Sequence, residues 1–271
     1  MNFIPRIRAT LGLIAALGSM LFLAGCFQIE QVLNIKADGS GTVVMSIKMT
    51  KEMIEQMKTM AKTNGGGNEA ANPIDGMLSE EEAKTQAKEM GESVKFEKVE
   101  TIKDDKSEGR RATYSFADVT KLKMDIDLSG MKSQGAAEPG KEKDAMTFEF
   151  TKGSPATLVI NALHKKPAGK KEEQPEDPNE AAGLAMAQQF LKDTRLTIIV
   201  NVEGSITETN AANKDGSRVI LADIPFGDLL KDPAKLKGLK NADTWEEATK
   251  LFKDIPSIKM EPREKIEVKF K

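Results

Sequence analysis

From Phe27 onward the chain is written in a period of two. Phe27, Ile29, Leu33 and Ile35 fall on one side, and Gln28, Glu30, Asn34 and Lys36 on the other. Successive side chains of extended backbone point to opposite faces, so this is a strand with one dry and one wet face. Asp38-Gly39-Ser40-Gly41 follows, and then Val43, Met45, Ile47 and Met49 alternate with Thr42, Ser46 and Lys48. Two alternating runs about a glycine-rich turn predict a β-hairpin. The pattern recurs at Ala112, Tyr114 and Phe116, at Met124, Ile126 and Leu128, and at Met146, Phe148 and Phe150. It returns at Leu196, Ile198, Val200 and Val202, and closes the chain at Ile266, Val268 and Phe270. Less regular strands are expected at 94–102, 156–162 and 218–224. One-faced strands suit antiparallel sheet, in which one side packs on a core and the other meets water.

Helical stretches interrupt the strands. Thr50 is placed to cap a helix with Met53, Ile54, Met57 and Met60 on one side. Ser79 with Glu82 forms a capping box opening a helix to about Met90, and Thr244 with Glu247 opens another carrying Trp245, Ala248, Leu251 and Phe252. A further helix is expected at 179–192, and a short one at 226–230 that stops before Pro233. Segments 63–76, 129–144 and 165–180 are rich in Gly, Pro, Lys and Glu and read as polar loops. The last is either a solvated surface loop or a linker between two domains. The expected fold is α+β, a curved antiparallel β-sheet with helices packed on one face, forming a single domain over 26–271.

The first 25 residues belong to a different kind of segment. Arg6 and Arg8 precede an apolar run from Leu11 to Leu23, 13 residues long, and small residues end it. A bilayer core needs about 20 apolar residues, so a spanning helix fits poorly and a secretory signal fits well. The run closes on Leu23-Ala24-Gly25-Cys26, and Cys26 is the single cysteine of 271 residues. Secreted proteins usually hold cysteines in pairs. A lone one at a cleavage site is what lipid attachment requires, and the four residues look like the lipobox of bacterial lipoproteins. That likeness implies cleavage before Cys26 and acylation of its thiol, which leaves the mature chain without a free thiol. It also implies a cell-envelope location and a membrane partner through the lipidated N-terminus. Phe27 is not the aspartate that commonly retains such proteins at the inner membrane, which favours the outer membrane if the envelope is Gram-negative.

Composition narrows the function classes. Without Arg6 and Arg8 the chain keeps 38 Lys+Arg against 42 Asp+Glu, with no basic stripe, so nucleic acid is not an expected partner. One Trp and one Tyr argue mildly against sugar binding by stacked rings. His164 is the single histidine and sits beside Lys165 and Lys166, where an exposed loop residue is expected in preference to a triad base. No metal site of His and Cys ligands, phosphate-binding glycine loop or dinucleotide fingerprint is expected, and no cofactor. Asp38-Gly39-Ser40-Gly41 lacks the spaced acidic ligands of a calcium loop. Its echo in Asp215-Gly216-Ser217 is explained by turn chemistry. The residues with the most functional interest after Cys26 are methionines. Met45, Met49, Met53, Met57 and Met60 either fill the core or form an adaptable apolar face for a ligand or partner, since thioethers fit irregular surfaces.

The segment Cys26-Phe27 through Leu33-Asn34-Ile35 and Asp38-Gly39-Ser40-Gly41-Thr42 resembles the LppM-type family of bacterial lipoproteins, as does the run from Val202-Glu203-Gly204 to Asn210. The resemblance covers about a quarter of the chain. It implies a β-rich envelope domain with helices on one side and an apolar cavity for a lipid, and it brings no catalytic residues. The expected function is that of a non-catalytic, membrane-anchored lipoprotein binding a lipid or other apolar ligand. The alternative is a structural or assembly lipoprotein that holds an envelope protein. A hydrolase built on two carboxylates is the weakest of the three.

Overall fold

The computed structural model describes residues 27–64, 73–124, 145–161, 191–232, 234–235 and 245–271. Cys26, His164, the expected helix at 179–190, the strand positions Ile126 and Leu128, and the loops at 129–144 and 165–180 lie outside the described residues. So does the side chain of Met60.

The fold is α+β, and among the described residues the strands form two sheets. The first hairpin joins β1 (Phe27–Ile35) to β2 (Gly41–Thr50) in the expected register, with Phe27 opposite Met49 and Ile35 opposite Gly41. Its turn is held by Asp38, whose carboxylate accepts from the Ser40 amide at 2.9 Å and from its hydroxyl at 2.7 Å. Gly39 has φ +86°, and a Cβ there would lie 2.8 Å from the Phe150 ring, so the turn needs glycine both for its conformation and for close packing. The helices α1 (Lys51–Asn64), α2 (Pro73–Leu78) and α3 (Glu80–Met90) follow. Thr50 accepts from the Met53 amide at 3.2 Å and Ser79 from the Glu82 amide at 3.1 Å, the expected caps.

Next come β3 (Val94–Lys103), β4 (Ser107–Phe116), β5 (Thr147–Thr151), β6 (Ala156–Asn161) and β7 (Thr194–Val202). The chain closes with β8 (Ile206–Thr209), β9 (Lys214–Asp215), β10 (Arg218–Pro225), α4 (Phe226–Leu230), α5 (Trp245–Phe252), β11 (Lys259–Met260) and β12 (Lys265–Phe270). The main sheet runs β11-β10-β7-β1-β2-β4-β3, with β9 on β10. The smaller sheet runs β5-β6-β12-β8.

The expected antiparallel pairing holds in both sheets with one exception: β1 pairs with β7 in parallel over its whole length, from Phe27 opposite Thr194 to Ile35 opposite Val202. Alternation specifies which face is dry and carries no information about strand direction. The stretch 63–76 is not wholly loop. Helix α1 continues to Asn64 and α2 begins at Pro73, a residue suited to a first helical turn, with Ile74 only 2% exposed.

The odd-numbered residues of β1 and β2, the even-numbered residues of β4 and β7, and Val219, Ala222 and Ile224 of β10 share one face of the main sheet. The helices pack on this face as expected, and the smaller sheet packs there too. Leu158, Ile160, Ile266, Val268 and Phe270 meet Leu33, Val43, Tyr114 and Val200 in the principal core. The chain passes from one sheet to the other at Gly204 (φ +92°), where a Cβ would stand 2.4 Å from the Lys271 carbonyl oxygen. Ser205 and Lys271 exchange backbone hydrogen bonds of 2.8 and 3.1 Å at this corner.

Phe270 is fully buried, beside Phe150 at a ring separation of 6.3 Å. Truncation of such an aromatic leaves a cavity in a close-packed interior, so Phe270→Ala is expected to cost about 3–5 kcal/mol in urea unfolding.

Candidate functional site

The inner face of the main sheet is covered in two pieces. At one end Leu33, Ile35 and Val43 lie beneath the smaller sheet and are at most 1% exposed. At the other end Phe27 and Met49 are closed over by Met53 and Ile54 of α1 and Ile74 of α2, a second and separate cluster. Helix α3 covers the β4 side through Ala83, Ala87 and Met90, and Leu229 of α4 and Phe252 of α5 belong to the core on the β7 and β10 side. Between the two clusters, Ile29, Met45 and Ile47 are only half-buried although they sit on the two central strands. Ile29 faces Ile47 and Gln31 faces Met45 across the β1–β2 ladder, so the four side chains form two adjacent rows. Ile29 touches both clusters, Met45 the principal one and Ile47 the smaller. The result is an apolar floor that solvent reaches, ringed by sealed core.

The floor carries one polar side chain. Gln31 is 7% exposed, and its Oε1 has no hydrogen-bond partner among the described residues. An unmet buried amide oxygen costs free energy, of the order of 1–3 kcal/mol, because its hydration is lost without replacement. On the β4 side of the floor, Arg110 is 3% exposed and lies opposite Ile47. It donates to the Ser79 carbonyl at 2.9 Å and to Gln86 Oε1 at 3.1 Å, and the Tyr114 hydroxyl donates to the same Gln86 oxygen at 3.1 Å. Burial pulls the Arg110 guanidinium below its usual range and pushes the Tyr114 phenol up to about 12, so the phenol stays protonated at neutral pH. This cluster fastens α3 to the sheet.

The structure divides the methionines singled out from the sequence. Met45 lies on the open floor. Met49 and Met53 are 1% and 4% exposed and fill the smaller core, and Met57 packs half-buried against it. Ile29, Gln31 and Ile47 belong to the same floor and were not singled out. Their pairing across the hairpin is readable from the sequence, but how fully each is covered depends on elements distant in the chain.

The opposite face of the main sheet is polar. Arg195 and Asp223 form a two-point ion pair at 2.7 and 2.8 Å. Near it stands Glu30, whose carboxyl is raised above its ordinary range by burial against the opposing pull of Arg111, Arg218 and Arg195. Glu261, 2% exposed, accepts from the Ala212 amide at 2.6 Å and from Arg263 Nη1 at 3.1 Å, and so pins the loop before β9. Among the described residues no helix is long and apolar enough to cross a membrane, and no group of three or more His, Cys, Asp or Glu is placed to hold a metal ion.

No family model matches the chain, and no curated protein does. Among solved structures it is similar to the folded domain of the Mycobacterium tuberculosis LppM protein, determined by NMR, at a TM-score of 0.28 and 13% identity over 74% of this chain and 84% of that one. At that level neither residue correspondences nor a shared function follow, and the site stands on this chain's own residues.

Two substitutions test the electrostatics. Gln31→Leu replaces an unmet buried amide with a side chain of similar size and is expected to raise the urea midpoint. Glu30→Gln is expected to stabilise the protein at neutral pH and to leave it unchanged well below pH 4. The folded-state pKa is raised, so the charged form costs stability only as pH climbs past the unfolded value of about 4.5 toward the folded one, by the linkage of.

Proposed function

We propose that this protein is a non-catalytic envelope lipoprotein, anchored through acylated Cys26, that binds a lipid or other apolar ligand on the floor formed by Ile29, Gln31, Met45 and Ile47. The observation that carries this is the half-exposure of Ile29, Met45 and Ile47 between two sealed clusters on the central strands. Apolar side chains at such positions are normally covered, and accessible apolar side chains with few polar groups among them are the usual lining of a small-ligand site. Met45 adds an unbranched, polarizable side chain that adapts to an acyl chain. Gln31 is buried beside it, with an amide oxygen that meets no partner among the described residues. The signal and lipobox support delivery to the envelope. The buried polar groups support a role without catalysis, since Arg110 and Glu261 are occupied in holding backbone.

Residues 27–271, secreted without the anchor and purified gently, are expected to show a discrete adduct of lipid mass in native mass spectrometry. Met45→Trp, which fills the floor, is expected to remove the adduct while the thermal midpoint stays close to that of the parent. A clean mass for the parent, with lipids offered and refused, overturns the proposal and leaves protein-partner assembly as the reading to test by crosslinking.

A further inference from the structure

The position of the anchor relative to the sheet decides how the domain stands on a membrane. Cleavage before Cys26 leaves no residue between the acylated cysteine and Phe27, the first residue of β1. Phe27 already belongs to the fold. Its amide donates to the Asp193 carbonyl at 3.4 Å, it is in register with Met49 on one side and Thr194 on the other, and it is 4% exposed among Met49, Met53, Ile54 and Ile74. Strand β1 has partners on both edges, so drawing Phe27 away from the domain would open two ladders and unseal the smaller core. Consecutive Cα atoms are about 3.8 Å apart, and each headgroup layer of a bilayer is of the order of 5–8 Å thick. The acylated residue therefore has no slack with which to hold the sheet away from the lipid.

We infer that the domain rests on the bilayer surface through the Phe27 end of its main sheet, in a fixed orientation, and does not swing on a tether. This inference rests on the lipoprotein reading of Cys26. The same end of the sheet carries the β3–β4 turn, where Asp105 and Lys106 are exposed, and the segment before β7, where Lys192 and Asp193 are exposed. The turn is tied to the start of α1 by the Lys51 amide, which donates to the Lys106 carbonyl at 2.9 Å, and by Lys51 Nζ, which donates to the Asp105 carbonyl at 3.0 Å. These polar groups lie at headgroup level. The β1–β2 turn with Ala37 stands at the far end of the strand, roughly 30 Å away at about 3.3 Å per residue. Ile29 is two residues from Phe27, so the apolar floor begins roughly 7 Å along the strand from the membrane side. A lipid leaving the bilayer would meet the floor without crossing the length of the domain.

Acylation consumes the thiol of the single cysteine, so a cysteine introduced elsewhere is labelled alone. The full acylated protein, carrying a fluorescent label at Asp105→Cys or at Ala37→Cys, is reconstituted in phosphatidylethanolamine–phosphatidylglycerol vesicles that contain a headgroup nitroxide quencher. Quenching is expected to be several-fold stronger at position 105 than at position 37. A flexible Gly/Ser segment of about 20 residues, inserted between Cys26 and Phe27, is expected to even the two. Equal quenching in the uninterrupted chain, with the acyl mass present and the protein vesicle-bound, overturns the fixed orientation and leaves the anchor standing. Absence of the acyl mass together with loss of vesicle binding overturns the anchor, and the orientation with it.

Discussion

Strand β1 is the member on which the rest of the structure depends. It is the first strand of the fold and stands in the middle of the main sheet, antiparallel to β2 on one edge and parallel to β7 on the other. Both ladders run its full nine residues. A chain of side-chain hydrogen bonds crosses the sheet beside it on the wet face. Ser217 donates to Asn201 Oδ1 at 3.0 Å, Asn201 to Asn34 Oδ1 at 3.1 Å, and Asn34 to Thr42 Oγ1 at 3.2 Å. A slip of one residue would break this chain and turn Leu33 and Ile35 out of the core, since side chains alternate with period two. The parallel neighbour is thus locked by a dry face and a polar ladder acting together.

The cover over that sheet is composite, and its two parts leave different marks on the residues beneath. A second sheet gives a broad, continuous seal over Leu33, Ile35 and Val43. Helices α1 and α2 give a local one over Phe27 and Met49. The rows between are covered less completely at Ile29, Met45 and Ile47, so the site is a consequence of how the covering layer is assembled and not of any irregularity in the strands.

Much of the architecture was legible in the sequence, and the parts that were not share a physical cause. The first hairpin, its Asp38-Gly39-Ser40 turn, the caps at Thr50 and Ser79 and the terminal strand at Ile266–Phe270 follow from local chemistry: alternation, positive φ and hydroxyl acceptors. The division into two sheets depends on which strands meet across long stretches of chain, and the hydrophobic pattern is the same for either partner. Pro73 lies in a stretch rich in Gly and Asn that reads as loop, while Ile74, the residue that anchors α2, is a single apolar position with no periodicity to announce it. At the candidate site the methionine stripe was visible but its division was not. Met49 and Met45 occupy equivalent places in the alternation, and only the helices above distinguish a sealed residue from an accessible one.

The parallel pairing also sets the order in which the fold can be completed. Asn34 and Asn201 are separated by 167 positions, yet they are hydrogen-bonded neighbours. A chain emerging from its N-terminus can form the β1–β2 hairpin at once, but the other edge of β1 stays unpaired until β7 has been made. Contacts of such long range must close a large loop before they stabilise anything, which slows folding. During that interval a strand with one apolar face presents open backbone along one edge, the condition under which strands recruit foreign partners. The central place of the first strand therefore makes the emerging chain dependent on protection until its second half arrives.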